Sequence, residues 1–124
     1  MKPEITGRQE IETLINKFYE NVKIDPIIGP FFNHVKWESH LPLMYDFWEN
    51  ALFYTGGYHG NPLAIHQAFH KKHPLNAQHF ARWQDLFLAT VNDLFEGNKA
   101  ELAKQRALSI SAVMQIKTFG ADTN

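Results

Sequence analysis

The chain has 124 residues, which allows one domain, residues 1–124, and leaves little room for a second core. It contains no cysteine, so disulfides, thiolate zinc sites and cysteine-ligated iron–sulfur clusters are excluded, and a metal would need His, carboxylate, Met or Tyr ligands. Lys and Arg number 12 against 13 Asp and Glu, and this balance argues against nucleic acid as a partner.

The N-terminal stretch MKPEITGRQE is polar and carries acids where a signal peptide needs an apolar segment. No later stretch reaches the roughly 18 consecutive apolar residues that suggest a transmembrane helix. We therefore expect a soluble, cytoplasmic protein with no membrane partner.

The first predicted helix is capped by Thr6, and its apolar residues recur at helical spacing. This spacing places Tyr19 on the buried side of the helix, together with Ile11, Leu14, Ile15, Phe18 and Val22. The following stretch, residues 25–33, contains two prolines. We expect it to form no more than a short helical turn that presents Phe31 and Phe32.

The second predicted helix begins near Ser39, so that Pro42 falls in its first turn, and ends at Gly56-Gly57. Its apolar stripe consists of Met44, Phe47, Trp48 and Ala51. His40 lies four residues before Met44, which is about one helical turn. His40 is therefore expected to face inward at the start of this helix.

Proline and glycine interrupt the pattern after the second helix and leave space for one short helix over residues 62–72, capped by Asn61 and carrying His66. Two more long helices are predicted, the first capped by Asn76 and the second beginning with the capping box Asn98-x-x-Glu101 and ending at Gly120. No segment alternates with the period of a strand. The predicted fold class is all-α, with four long helices.

Three polar side chains lie in apolar stripes of three different helices: Tyr19, His40 and Trp83. A buried donor that finds no partner costs about 1–3 kcal/mol. Any one of the three is readily explained as a core residue whose polar group has a hydrogen-bond partner. Three of them, together with His66 on a short helix, predict a polar-lined pocket within an aromatic box.

These residues stand within a pattern that resembles the group III truncated haemoglobins over nearly the whole chain. The matching stretches, in order, are Phe18-Tyr19, Gly29-Pro-Phe-Phe-Asn33, Trp37-x-x-His40, Phe47-Trp48, Tyr58-x-Gly60-x-Pro62-Leu63-x-x-His66 and His79-Phe80-x-Arg82-Trp83. Each motif is weak alone, but the order and spacing together are specific. The resemblance implies a truncated globin fold, a two-over-two helical sandwich around haem b.

The resemblance also implies roles for individual residues. His66 would be the proximal iron ligand, and Tyr19, His40 and Trp83 would line the distal side where the gas binds. The haem itself would be contacted by Phe32, His40, Met44, Phe47, Trp48, His66 and Trp83. The expected ligand is dioxygen or a related diatomic gas, and the expected partner is an unidentified reductase.

The expected function is oxygen chemistry or reactive oxygen and nitrogen chemistry rather than bulk oxygen transport, because two donors to bound dioxygen would slow its release. Whether the chain is an enzyme stays open at this point. Nitric oxide dioxygenase activity and peroxidase-like activity are both compatible with the residues.

Two alternatives concern the metal. His70 could replace His66 as the proximal ligand, although the spacing Pro62-Leu63-x-x-His66 favours the latter. His66, His70 and His73 also share one face of a helix, which would suit zinc in a non-haem, His-rich metal-binding helical protein. No general-base Glu accompanies them, and that alternative leaves Tyr19 and Trp83 unexplained.

A helical interaction module without cofactor is a third possibility. Its apolar stripes, however, would be used up by packing of the helices against one another.

Overall fold

The structure, a computed structural model, describes residues 1–57, 60 and 75–120, with only the backbone of residues 118–120. Within these ranges it contains four α-helices and one short 3₁₀ turn, and no strand. The helices are α1 (Arg8–Ile24), α2 (Trp37–Phe53), α3 (Ala77–Leu94) and α4 (Asn98–Gly120), and the 3₁₀ turn is Gly29–Phe32. The predicted all-α class with four long helices is confirmed, whereas the helix predicted over residues 62–72 and its cap Asn61 lie outside the described residues.

The four helices form two packed pairs, α1 with α2 and α3 with α4, and the pairs meet where α1 packs on α3 and α2 on α4. Helix α1 contributes one continuous apolar stripe to the core: Ile11, Leu14, Ile15, Phe18, Tyr19 and Val22 are all buried. On the facing side the core is completed by small residues of α4, Ala100, Ala103 and Ala107, which let the helices approach closely. No helix among the described residues combines the length and hydropathy that a membrane span requires.

The first helix begins at Arg8, after Gly7, rather than being capped by Thr6. The backbone N–H and hydroxyl of Thr6 both donate to the Glu10 carboxylate, over 3.1 and 2.6 Å. The prediction of a Thr6 cap was therefore wrong by one residue, because the acid in the first turn reaches back and fixes Thr6 outside the helix.

Helix α2 is shifted relative to its prediction at both ends. It begins at Trp37 instead of Ser39, which places Pro42 inside the helix rather than in its first turn. It ends before Tyr54, whose φ of 57° is left-handed, and the N–H of Gly56 then donates to the side-chain oxygen of Asn50 over 2.7 Å. The side chain of Asn50 thus ends the helix before the glycines that suggested its terminus.

The predicted Asn76 cap of α3 is confirmed: its side chain accepts from the N–H of His79, and the His79 ring accepts from the N–H of Asn76.

The cap of helix α4 differs from its prediction. The helix begins at Asn98, as predicted, but the N–H groups of Lys99 and Ala100 donate to the carboxylate of Glu4, over 3.1 and 3.0 Å. The N-terminal segment, rather than the predicted Asn98-x-x-Glu101 box, supplies this cap.

Candidate functional site

A tyrosine and a histidine from two different helices meet at one edge of the core. The Nε2 atom of His40, in the first turn of α2, lies 3.3 Å from the hydroxyl oxygen of Tyr19 on α1. Their rings are 5.3 Å apart and nearly perpendicular. The inward orientation predicted for both side chains is therefore found, and the two polar groups form a pair.

Tyr19 is only 7% exposed and is enclosed by other rings. Its ring centroid lies 5.0 Å from Phe18, 5.9 Å from Phe32 and 5.0 Å from Trp37. Burial raises the pKa of the Tyr19 hydroxyl well above its usual value, because the phenolate would lose its hydration. The hydroxyl consequently keeps its proton at neutral pH and can serve as a hydrogen-bond donor.

Trp37 also lies at this site, although the sequence indicates it only as part of a motif. Its ring packs against Tyr19 and, at 5.5 Å, against the edge of His40. It is nearly parallel to Phe32, at 6.2 Å, and the Lys23 ammonium lies 4.3 Å from its centroid. Trp37 therefore contacts both members of the tyrosine–histidine pair.

Trp83 reaches the same region from α3 through a stack of aromatic rings. It lies edge-on to Phe18 at 5.8 Å and parallel to Phe87 at 5.6 Å. Phe18 in turn contacts Tyr19, so Trp83 and the tyrosine are neighbours of one shared ring. Trp83 is half-buried, which leaves part of its surface accessible beside the core.

The other side chains predicted to contact a cofactor fall into two groups. Trp48 is only 3% exposed and stacks on Phe87 at 4.6 Å, so it is a core residue within the described structure. Phe32, Met44 and Phe47 pack against the core but are only partly buried. These three side chains retain accessible apolar surface.

An ion pair between a buried carboxylate and a partly exposed arginine fixes the segment after α1, and no local sequence pattern indicates it. The carboxylate of Asp25 accepts from the N–H groups of Ile27 and Ile28, each over 3.0 Å, and from Nε of Arg82 over 2.6 Å. Its burial would raise the pKa of Asp25, but these donors outweigh that effect and hold the pKa below its usual range. The pair joins the segment between α1 and the 3₁₀ turn to α3, next to Trp83. A Cβ at Gly29 would lie 2.9 Å from the carbonyl oxygen of Lys23, so the turn packs closely on the end of α1.

Part of the predicted site lies outside the described residues: His66, its competitor His70, and His73. Within the described ranges, no group of three His, Asp or Glu side chains is placed to hold a metal ion. His79 has a structural role in the cap of α3 and contacts the ring of Phe31 at 4.6 Å.

Comparisons with known proteins agree with this architecture. No family model matches the chain. The chain is 30% identical to the group 3 truncated hemoglobin ctb of Campylobacter jejuni subsp. jejuni, over 93% of both chains. A crystal structure of the group III truncated hemoglobin from Campylobacter jejuni matches with a TM-score of 0.82 and 30% identity, again over 93% of each chain. The structure of Chlamydomonas reinhardtii THB1, at 21% identity and a TM-score of 0.69 over 87% of this chain and 89% of that one, supports the fold alone. The predicted truncated globin fold is confirmed, and the chain belongs to the group III truncated haemoglobins.

Proposed function

We propose that this chain is a single-domain haem b protein that binds dioxygen or a related diatomic gas, with His66 as the proximal iron ligand. Tyr19, His40 and Trp83 would face the bound gas. The observation that carries the proposal is the buried Tyr19 hydroxyl, 3.3 Å from Nε2 of His40, in a chain that belongs to the truncated haemoglobins.

Accessible apolar side chains on two helices support a site for a largely apolar cofactor. Helices α2 and α3 both present partly buried apolar side chains beside the core, Met44 and Phe47 from one and Trp83 and Leu86 from the other. Apolar surface of this kind is typical of cofactor sites, in which a few placed polar groups provide the specificity. Haem would supply an iron atom that binds the gas, which no side chain of this protein could do alone.

The chain's own contribution is a set of hydrogen-bond donors. Tyr19 keeps its proton because burial raises its pKa, and the indole N–H of Trp83 is always a donor. Bound dioxygen carries partial negative charge and would accept from both. If the two bonds supply about 3 kcal/mol together, dioxygen release slows roughly a hundredfold.

Slow release favours oxygen chemistry or reactive oxygen and nitrogen chemistry over bulk transport. When bound, haem would supply redox chemistry at its iron, and the expected partner would be an unidentified reductase. The hydroxyl of Tyr19 and the indole N–H of Trp83 would donate hydrogen bonds to an oxygen-containing reactant, as either a nitric oxide dioxygenase or a peroxidase-like activity would require. A proximal histidine donates less electron density than a thiolate, so a peroxidase-like activity would depend on the distal donors.

An absorption spectrum of the purified protein tests the proposal. We expect a Soret band that shifts on addition of dithionite and then of carbon monoxide. His66→Ala should abolish the normal His-ligated spectrum, whereas His70→Ala, the matched control, should keep it. Loss with His70→Ala alone would assign the ligand to His70, and zinc without any Soret band would support the non-haem alternative.

A further inference from the structure

The indole of Trp37 packs directly beside the tyrosine–histidine pair of the candidate site. Trp37 opens α2, three residues before His40, and its ring contacts His40 at 5.5 Å and Tyr19 at 5.0 Å. The interplanar angles are 84° and 58°, which are favourable edge-to-face and tilted arrangements. Trp37 thus contacts both side chains whose polar atoms are 3.3 Å apart.

Two further groups hold the indole in this position. Lys23, in the last turn of α1, places its ammonium 4.3 Å from the ring centroid, well within the range of a cation–π contact. Phe32, from the 3₁₀ turn, lies nearly parallel to the indole at 6.2 Å with an interplanar angle of 18°. The ring is therefore fixed by three elements of the fold: α1, the 3₁₀ turn and its own helix.

This arrangement restricts the imidazole. His40 is half-buried in the first turn of α2, and turning away from Tyr19 would break its edge contact with an indole that is itself held in place. A side chain in such a contact exchanges its orientations less freely than one exposed to water.

We propose that Trp37, held by Lys23, is a positioning residue for His40: it keeps the imidazole directed at Tyr19 and thereby limits the rate at which a gas reaches the distal side. The inference rests on the proposed function, because it assigns the control of ligand access to residues of that same site.

The experiment measures carbon monoxide association to the haem-loaded protein after flash photolysis. Trp37→Leu removes the ring, and we expect association to become about fivefold faster. That change corresponds to about 1 kcal/mol, the size of one aromatic pair. Trp37→Phe keeps a ring and should stay within about twofold of the parent. Lys23→Met should accelerate association about twofold, whereas Lys17→Met, an exposed position on the same helix, should not change it.

The same substitution in a His40→Ala background distinguishes positioning from simple blockage. If Trp37 acts through His40, Trp37→Leu has no further effect once the imidazole is removed. A second readout is the NMR signal of the His40 ring in the carbon monoxide-saturated protein, which should shift in Lys23→Met, a change that leaves the indole in place, but not in Lys17→Met.

The possible outcomes test two separate claims, the positioning role of Trp37 and the proposed function of the protein. A normal Soret spectrum with unchanged association in Trp37→Leu, or equal acceleration with and without His40, overturns the positioning role while leaving the proposed function intact. Absence of any Soret band in the parent protein refutes the proposed function itself.

Discussion

The hydroxyl of Tyr19 and Nε2 of His40 lie 3.3 Å apart although the two residues are 21 positions apart and belong to different helices. Neither side chain faces bulk water fully: Tyr19 is buried and His40 half-buried. A polar contact in such an apolar setting is electrostatically stronger than the same contact in water. This pair is therefore the feature whose disruption should have the most direct effect on ligand binding.

Replacing Tyr19 by Phe should accelerate dioxygen dissociation about tenfold, because it removes one donor worth about 1.4 kcal/mol to the bound gas. The aromatic ring and its contacts with Phe18 and Trp37 are kept. The measurement is stopped-flow displacement of dioxygen from the reduced, haem-loaded protein. Tyr45→Phe is the matched control, because its hydroxyl donates to Asn16 outside the site. Equal dissociation rates in both variants would contradict the role of Tyr19.

Asp25→Asn should lower the free energy of unfolding by about 2 kcal/mol. The Asp25 side chain is 1% exposed and has three donors, whereas Arg82 is 39% exposed and its charge can be taken up by water. We therefore expect less than the full cost of breaking a fully buried pair. Urea unfolding provides the measurement. Asp85→Asn, an exposed acid on α3, should change stability by less than about 0.5 kcal/mol, and a similar loss at both positions would argue against a special role for the pair.

Stability should also fall in acid. The folded pKa of Asp25 is lowered, so its contribution is fully present above the unfolded pKa, about 3.9, and is lost as pH falls through the folded value. Glu4, whose pKa is lowered by the N–H groups of Lys99 and Ala100 despite its partial burial, acts in the same direction. In urea titrations between pH 3 and pH 6, the stability difference between the parent and Asp25→Asn should shrink as pH decreases. A constant difference would show that the charge of Asp25 is not what stabilises the fold.

Gly97→Ala should destabilise the protein by about 2 kcal/mol. Gly97 has a φ of 119°, which side chains rarely adopt, and a Cβ there would collide with the Glu4 carboxylate. Gly7→Ala is the matched control: its φ of 176° is extended backbone, and nothing lies within 4 Å of an added Cβ. Thermal unfolding followed by circular dichroism separates the two variants, and comparable melting temperatures would refute the argument.

The sequence predicts those features of the fold that depend on neighbouring residues. The helical spacing of α1 places Tyr19 inward, and Asn76 can be identified as a cap because the group it binds, the N–H of His79, is three residues away. The class of the fold and the convergence of Tyr19 and His40 could therefore be predicted, while the cofactor roles of these residues stay predictions.

Features that depend on distant residues could not be predicted in this way. Arg82 and Asp25 are 57 positions apart, and no local spacing indicates that they meet. The Asn98-x-x-Glu101 box matches a capping pattern, yet Glu4, from the other end of the chain, provides the cap. Trp37 resembles any other core aromatic until α1 is placed beside it, because both Lys23 and Tyr19 come from that helix.

The contact of Glu4 with the start of α4 also has a consequence for the order of assembly. The carboxylate and the N–H groups it binds are 95 and 96 positions apart, so the first three helices are synthesised between them. During synthesis, Glu4 leaves the ribosome early and has no partner until α4 follows. The first turn of α4 therefore gains its cap only after α1, α2 and α3 have all been synthesised, which places this contact among the late steps in the assembly of the four helices.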